Sequence, residues 1–511
     1  MTFHSAVAKI GFYVLIKKVG FGNILMMARI FFYFIQTLGV GLIFFAHPVL
    51  VICSLFSRPI RERLKFELST QVEEGEFDAI FEVASEGELE QVIPVLESYI
   101  YRNKRVLLFY ASKSVSKKIE ELELKHTESS MLEVCVLPLL SFFGTSTYFS
   151  RSMSRLRATD FYFCRYDFYP HLLLLSKLNS KRVILLSATL INKPLFSDQI
   201  QAKKSFPYSS FRELALVFRR FYWRQLISHF DSIYFASSAE EKRFKKLCGE
   251  LYHLKQFRTF DFRLVRIIHR LEMSNDNLKI KWPVSHLFIE MLQTGAGISD
   301  RVLLFGSAWI EDIKCLPSNW DFAANLTIIA PHLLNKDYID DFTKDISKHF
   351  ENGKKSDVPI YIWKSNMDLK QANEIIAAHL ERPGPHLILT PGILCELYQF
   401  TPNVFVGGGF GRSIHSVIEP FVSGAMIFCG PKIHRSTEYE FIKSYDSSKV
   451  IKISKPSDFY PLFKKFSNAG VREHIFVQDR EKLLKMFHNL VEEIHDGQVE
   501  VESSEDSLYD K

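Results

Sequence analysis

Two patterns of apolar positions divide the chain. From Ile30 to Ser57 there is no Asp, Glu, Lys or Arg. After Lys65 short apolar runs alternate with amphipathic stretches of helical period. The first set of runs is Ala79–Ala84, Arg105–Tyr110, Leu132–Pro138, Asp160–Cys164, Arg182–Ser187 and Ser232–Ala236, with helices such as Glu88–Tyr101 and Ser112–Glu123 between them. A second set begins near residue 300: Val302–Phe305, Leu326–Ala330, Pro359–Trp363, His386–Leu389, Asn403–Val406, Ala425–Phe428 and Val450–Ile453. Runs of Val, Ile, Leu and Phe without polar alternation are what strands buried on both faces require. Strands alternating with helices imply right-handed βαβ units and doubly wound parallel sheets.

The pattern therefore predicts an α/β protein with two Rossmann-like domains and an N-terminal membrane-anchoring helix. Residues 1–65 form the anchor and its basic flank, 66–262 the first domain, 263–299 a connection, 300–497 the second domain and 498–511 a tail. The tail, Gln498–Lys511, carries five acids and few apolar residues and reads as disordered. A helix over Ile30–Ser57 reaches about 42 Å, enough for a hydrocarbon core of roughly 30 Å. Pro48 interrupts it, and Ile30–Ala46 alone reaches only about 25 Å, so a kinked span and a one-leaflet hairpin both fit. Basic residues flank the run on both sides, and charge does not choose an orientation. No cleavage site of small residues follows, so the segment is expected to stay on.

Composition narrows the class. The 511 residues are 47% hydrophobic and 24% charged, which excludes a disordered chain, and only one stretch is apolar enough to span, which excludes a polytopic transporter. A net charge of +6 is too weak to argue for nucleic acid, and the 46 Phe suit a protein that works against lipid. Seven scattered Cys without a CxxC imply neither a disulfide framework nor a zinc site.

Ligands of open α/β sheets bind beyond the carboxyl ends of the strands, and four such ends carry chemistry. The first reads Glu82-Val83-Ala84-Ser85-Glu86-Gly87-Glu88; Glu88, in a helix's first turn, is either a cap or a catalytic acid. The second is the loop Gly407–Gly411, with Gly408, Gly409 and Gly411, running on to His415 and Glu419. Its backbone can approach an anion, the following helix N-terminus adds partial positive charge, and Glu419 can accept ribose hydroxyls. His415 is a packed histidine or a donor to phosphate. The third is Gly306-Ser307-Ala308-Trp309-Ile310-Glu311-Asp312, where Ser307 and nearby amides can donate to an anion. At the fourth, Arg165–Pro170, Asp167 is a helix cap or an acceptor-site residue. Arg219 and Arg220, among aromatic residues, suit lipid phosphates at a membrane surface or a solvated helix face.

Two Rossmann-like domains with these motifs are the arrangement of GT-B glycosyltransferases. Over about residues 60–490 the motif order resembles the 3-deoxy-D-manno-octulosonic acid (Kdo) transferases of lipopolysaccharide biosynthesis. The family's Ser-x-Gly-Glu is similar to Ser85-Glu86-Gly87-Glu88. Tyr166–Pro170, Gly306–Asp312, Ala330-Pro331-His332, and the glycine loop with Ile414-His415 and Glu419-Pro420 resemble further blocks. The resemblance implies an enzyme of the bacterial inner membrane, its catalytic domains on the cytoplasmic side. It would transfer Kdo from CMP-Kdo to the lipid A precursor, lipid IVA, with inversion, without a bound metal and without a cofactor. Glu88 would be the general base; Ser307, His332, Gly408, Gly409, Gly411, His415 and Glu419 would belong to the donor site, and Asp167, Arg219 and Arg220 to the acceptor site. Three departures stand out. Glu82 occupies a position where His is common, Ser187-Ala188-Thr189 replaces an Asn-Ala-Arg block, and a phosphate-binding Lys is Thr259, for which Arg258 or Arg263 would substitute.

Overall fold

A computed structural model describes residues 21–70, 75–127, 129–139, 155–165, 168–189, 221–249, 256–294, 301–351, 358–434, 436–467 and 473–496. The chain divides into two compact units, Met1–Ala236 with Glu240–Asp261, and Ser237–Ala239 with Phe262–Lys511.

The first unit carries β1 (Glu76–Val83), β2 (Val106–Tyr110), β3 (Leu132–Val136), β4 (Arg157–Cys164), β5 (Ser180–Ala188), β6 (Ser232–Phe235) and β7 (Gln256–Thr259). They form one sheet in the order β3-β2-β1-β4-β5-β6-β7, and every pair is parallel. Burial on both faces explains the unbroken apolar runs: every residue of β2 is buried, as are the last five of β1 and β4. Phe81 of β1 stacks on Tyr162 of β4 at 4.4 Å with 6° between the rings. β7 was not legible as a strand. It is an edge strand with no fully buried residue, so Gln256 and Arg258 interrupt the apolar pattern.

The second unit repeats the plan with β8 (Leu303–Ala308), β9 (Thr327–Pro331), β10 (Tyr361–Trp363), β11 (His386–Ile388), β12 (Asn403–Val406), β13 (Met426–Cys429) and β14 (Val450–Lys452). Its order is β10-β11-β9-β8-β12-β13-β14, again all parallel. Each unit is thus a doubly wound parallel α/β sheet, the component from which a GT-B fold is assembled. Residues 263–294, read from sequence as a connection, form three helices, Arg263–Glu272, Ser274–Lys281 and Ser285–Thr294, grouped with the second unit. Their packing has a charged centre: Arg270 donates twice to Glu396, at 2.8 and 2.7 Å, and once to the Gly392 carbonyl.

The apolar N-terminal run lies in one helix, Phe21–Phe56, with Pro48 inside it. Among the described residues no helix is long and apolar enough to cross a membrane. Part of this helix is docked instead. Phe32 is only 2% exposed and joins the first unit's core, Tyr33 meets His229 Nδ1 at 3.0 Å, and Gln36 donates to Tyr222 at 3.1 Å. The next helix, Arg58–Glu67, is tied down as well, because Arg63 pairs with buried Glu67 and donates to the carbonyls of Ala111 and Leu137.

Candidate functional site

The strand orders fix where each sheet can hold a ligand. In the first sheet the order reverses between β1 and β4; in the second it reverses between β8 and β12. At such a switch point the connections leave in opposite directions and open a crevice at the strands' carboxyl ends. The residues that follow these four strands are Ala84–Glu88, Arg165, Trp309–Asp312 and Gly407–His415. They coincide with the four motifs singled out from the sequence.

At the first switch point Glu88 sits in the opening turn of helix Glu86–Ile100 and is 2% exposed. One carboxylate oxygen accepts the N–H of Ala84 at 2.6 Å, so Glu88 reaches back past the helix's first residues and ties the helix to the strand end. Across the crevice Arg165 takes a left-handed backbone, φ 60°, and its guanidinium lies 3.9 Å from where a Cβ on Gly87 would project. Arg165 opens the fourth motif, and nothing in its sequence neighbourhood distinguishes it from a solvated arginine. Tyr166, Asp167, Arg219 and Arg220 lie outside the described residues.

The second switch point is more fully built. Ser307, also left-handed with φ 51°, lies in a β-bulge one residue before the end of β8 and is partly open to solvent. Asp312, wholly buried, accepts the N–H groups of Trp309 and Gly408 through one oxygen, both at 2.9 Å. Burial pushes its carboxyl up to about 6. The glycine run is demanded chiefly by packing. A Cβ on Gly407 would meet the Ser307 carbonyl at 2.3 Å, and one on Gly409 would meet Gly430 N at 2.6 Å. Gly408 takes φ 88°. Several loop amides already have partners: Gly407 N–H donates to the Gly306 carbonyl and Gly411 N–H to the Gly408 carbonyl. A side chain on Gly411 would meet only ordinary contact distances.

The helix after the loop corrects one expectation. Ile418–Ser423 has only six residues, and its opening amides, Val417 and Ile418, donate to Glu438 at 2.8 and 3.3 Å. A protein carboxylate therefore fills the place that the sequence reading gave to an anionic ligand. Arg263, nominated there as a replacement cation, is paired with the same Glu438. Thr259 itself, at that same departure, donates to Glu241 at 3.0 Å.

Glu419 is half-buried, and its carboxylate makes no hydrogen bond among the described residues. Burial raises its pKa, while Arg270 pulls it down. His332, exposed, and His415, half-buried, stack with ring centroids 4.2 Å apart. Trp309 continues the stack, 4.8 Å from His332, and its indole N–H donates to His415 Nε2 at 3.3 Å. Burial depresses both histidines; with His332 adding repulsion, His415 falls to about 4. Both imidazoles are thus neutral near pH 7 and can donate hydrogen bonds without charge. Among the described residues no cluster of His, Cys, Asp or Glu is arranged to hold a metal ion.

No protein-family model and no curated protein sequence matches the chain. Solved structures resemble it distantly. The C-terminal CMP-Kdo binding domain of WaaA from Acinetobacter baumannii aligns at 13% identity and TM-score 0.27, covering 44% of this chain and 98% of that one. A UDP-GlcNAc 2-epimerase from Neisseria meningitidis aligns at 12% identity and TM-score 0.46, covering 81% of this chain and 100% of that one. Anabaena Alr3699/HepE, in complex with UDP and glucose, aligns at 12% identity and TM-score 0.43, covering 82% and 99%. At such values the likenesses add nothing to the fold read directly from the strands.

Proposed function

We propose that the protein is a glycosyltransferase that moves Kdo from CMP-Kdo to lipid IVA, inverting the anomeric centre, at the bacterial inner membrane with its catalytic units on the cytoplasmic side. The observation that carries the reading is the coincidence of motif and topology: all four motifs follow the strands that flank the two switch points. The second switch point is the donor site. CMP-Kdo leaves as a phosphate monoester, so less charge must be neutralised than for a diphosphate. Ser307, the glycine loop and the neutral imidazoles of His332 and His415 donate to that phosphate. Glu419, whose carboxylate makes no hydrogen bond among the described residues, accepts the ribose hydroxyls. The first switch point is the acceptor side, where Glu88 removes the proton of the attacking hydroxyl as the sugar's anomeric carbon becomes cationic. Asp167, Arg219 and Arg220 belong to the same acceptor reading.

The helix Phe21–Phe56 supplies the membrane contact. Opposite its docked residues, Ile30, Phe34, Leu38 and Leu42 are exposed at intervals of four, and Val49, Ile52, Leu55 and Phe56 are exposed further along. A stripe of this kind on a helix fixed by Phe32 suits a segment lying in one leaflet.

The test is product formation. Full-length protein in detergent is incubated with lipid IVA and either CMP-Kdo or UDP-sugars, and the lipid is weighed by mass spectrometry. Addition of Kdo from CMP-Kdo supports the reading. Transfer from a UDP-sugar makes the protein another membrane-associated glycosyltransferase, and CMP binding without any transfer makes it a non-catalytic descendant.

A further inference from the structure

The Trp309 indole bears on the donor site in a way that its stacking alone does not explain. An indole N–H can only donate, so the 3.3 Å contact requires a lone pair on His415 Nε2. A neutral imidazole with a lone pair on Nε2 carries its proton on Nδ1. An imidazolium would set two N–H groups against each other across the same contact. Neither partner can easily turn away. The Trp309 backbone N–H is held by Asp312 Oδ2 at 2.9 Å. The His415 backbone N–H is held by the Gly407 carbonyl at 3.1 Å. The ring edge, Cδ2 and Nε2, sits 3.0 and 3.1 Å from where a Cβ on Gly408 would project, and His332 covers the ring's face.

We propose that Trp309 is a positioning residue that keeps His415 neutral with its proton on Nδ1, so that the nucleotide's phosphate is met by an uncharged N–H donor. The proposal rests on the donor-site reading above and names what tunes that site. Charged and titratable groups on the surrounding elements are His332 in the stack, Glu311 and Asp312 after β8, Tyr338 edge-on to Trp309, and Arg412 and Lys432, the last held by the Gly411 carbonyl. His332 opposes protonation of His415 and Asp312, when ionised, favours it. The low pKa of His415 agrees with the indole contact. An uncharged donor makes phosphate affinity insensitive to pH across the range in which an ordinary histidine titrates.

The experiment labels histidine with nitrogen-15 in the full chain and reads the tautomer from long-range proton–nitrogen spectra between about pH 5.5 and 8, where an ordinary histidine changes charge. The His415 signals are identified by their loss in His415→Gln. The expected result is an Nδ1–H tautomer that does not titrate in the wild type. In Trp309→Phe, which keeps a ring over His332 but has no N–H, the His415 midpoint should rise into the range read, toward the ordinary value near 6.5. Calorimetry with CMP should then show affinity flat with pH in the wild type and about tenfold tighter at the acid end in Trp309→Phe, the difference between a neutral and a charge-assisted donor. An Nε2–H tautomer, a wild-type midpoint between about 6 and 7, or an unchanged midpoint in Trp309→Phe overturns the role of Trp309. Failure of CMP to bind at any pH sinks the donor reading instead, and the spectra still decide what Trp309 does to His415.

Discussion

Asp312 Oδ2 accepts the N–H of Gly408 at 2.9 Å, across 96 residues of chain. The same oxygen accepts the N–H of Trp309, so one carboxylate ties the end of β8 to the turn that leaves β12. The tie lies at the switch point itself. It sets the left-handed backbone of Gly408 and the anchorage of Trp309, on which the position of His415 depends. The other oxygen of Asp312, Oδ1, is buried and has no hydrogen-bond partner among the described residues.

Asp312 should therefore make stability depend on pH in an unusual direction. Burial raises its pKa from 3.8 to about 6, so between those values the folded state holds a proton that the unfolded state has released. Its contribution is full below pH 3.8 and is lost as pH rises through about 6. Asp312→Asn keeps an oxygen for the two amides and removes the charge. It should melt higher than the wild type above pH 7 and show a flatter profile between about pH 4 and 6. Asp312→Ala leaves two buried N–H groups unpaired and should cost about 1–3 kcal/mol for each. A wild type and Asp312→Asn with parallel melting profiles would show that this carboxyl is ionised throughout.

Membrane attachment and folding should separate along one helix. Replacing Phe34, Leu38 and Leu42 by Gln changes exposed positions only, so the melting temperature should hold while the protein moves to the soluble fraction in high salt. Phe32→Ala should do the reverse: it stays with membranes but loses about 3–5 kcal/mol, because a ring is removed from a closed core. A triple variant that still pellets as firmly as the wild type would remove the stripe from any role in attachment.

Much of this was legible because burial on both faces leaves a plain signature. Strands such as Asn403–Val406 read at their observed bounds, and most others fall within a few residues of them. What the sequence hid was pairing over distance. Glu438 caps the amides of Val417 and Ile418 from twenty residues downstream, so a helix end that looked open to phosphate is already filled. Trp309 and His415 are 106 residues apart, and nothing in either motif announces their hydrogen bond. Within the apolar N-terminal run, a docked face and a free face use the same residue types. Phe32 and Phe34 cannot be told apart until the core is seen.

Glu419→Ala should weaken CMP binding while leaving the fold intact. Among the described residues its carboxylate holds no neighbour by a hydrogen bond, and the adjacent Arg270 keeps its two bonds to Glu396. Loss of one or two charge-assisted bonds to the ribose, about 1.5–3 kcal/mol each, predicts at least a tenfold rise in Kd. Deoxycytidine monophosphate, lacking the 2′-hydroxyl, should bind wild type and variant more nearly alike. Unchanged CMP affinity in the variant would take Glu419 out of the donor site.

Glu88 offers a sharper choice, since its observed bond to Ala84 is that of a structural tie and its assigned role is that of a base. Glu88→Gln distinguishes the two. The amide oxygen still accepts the Ala84 N–H, so the tie survives and the melting temperature should change little. The amide cannot take a proton, so kcat should fall by about 10²–10⁴ if Glu88 activates the acceptor hydroxyl. CMP affinity should be untouched, because the donor residues belong to the other unit. Glu88→Ala, losing both, should be as inactive and also less stable by about 0.5–1.5 kcal/mol, the range for a lost hydrogen bond. A Glu88→Gln enzyme with near-normal turnover would leave Glu88 as a structural tie and direct the search for the base to Asp167 or to Glu82, buried near the end of β1.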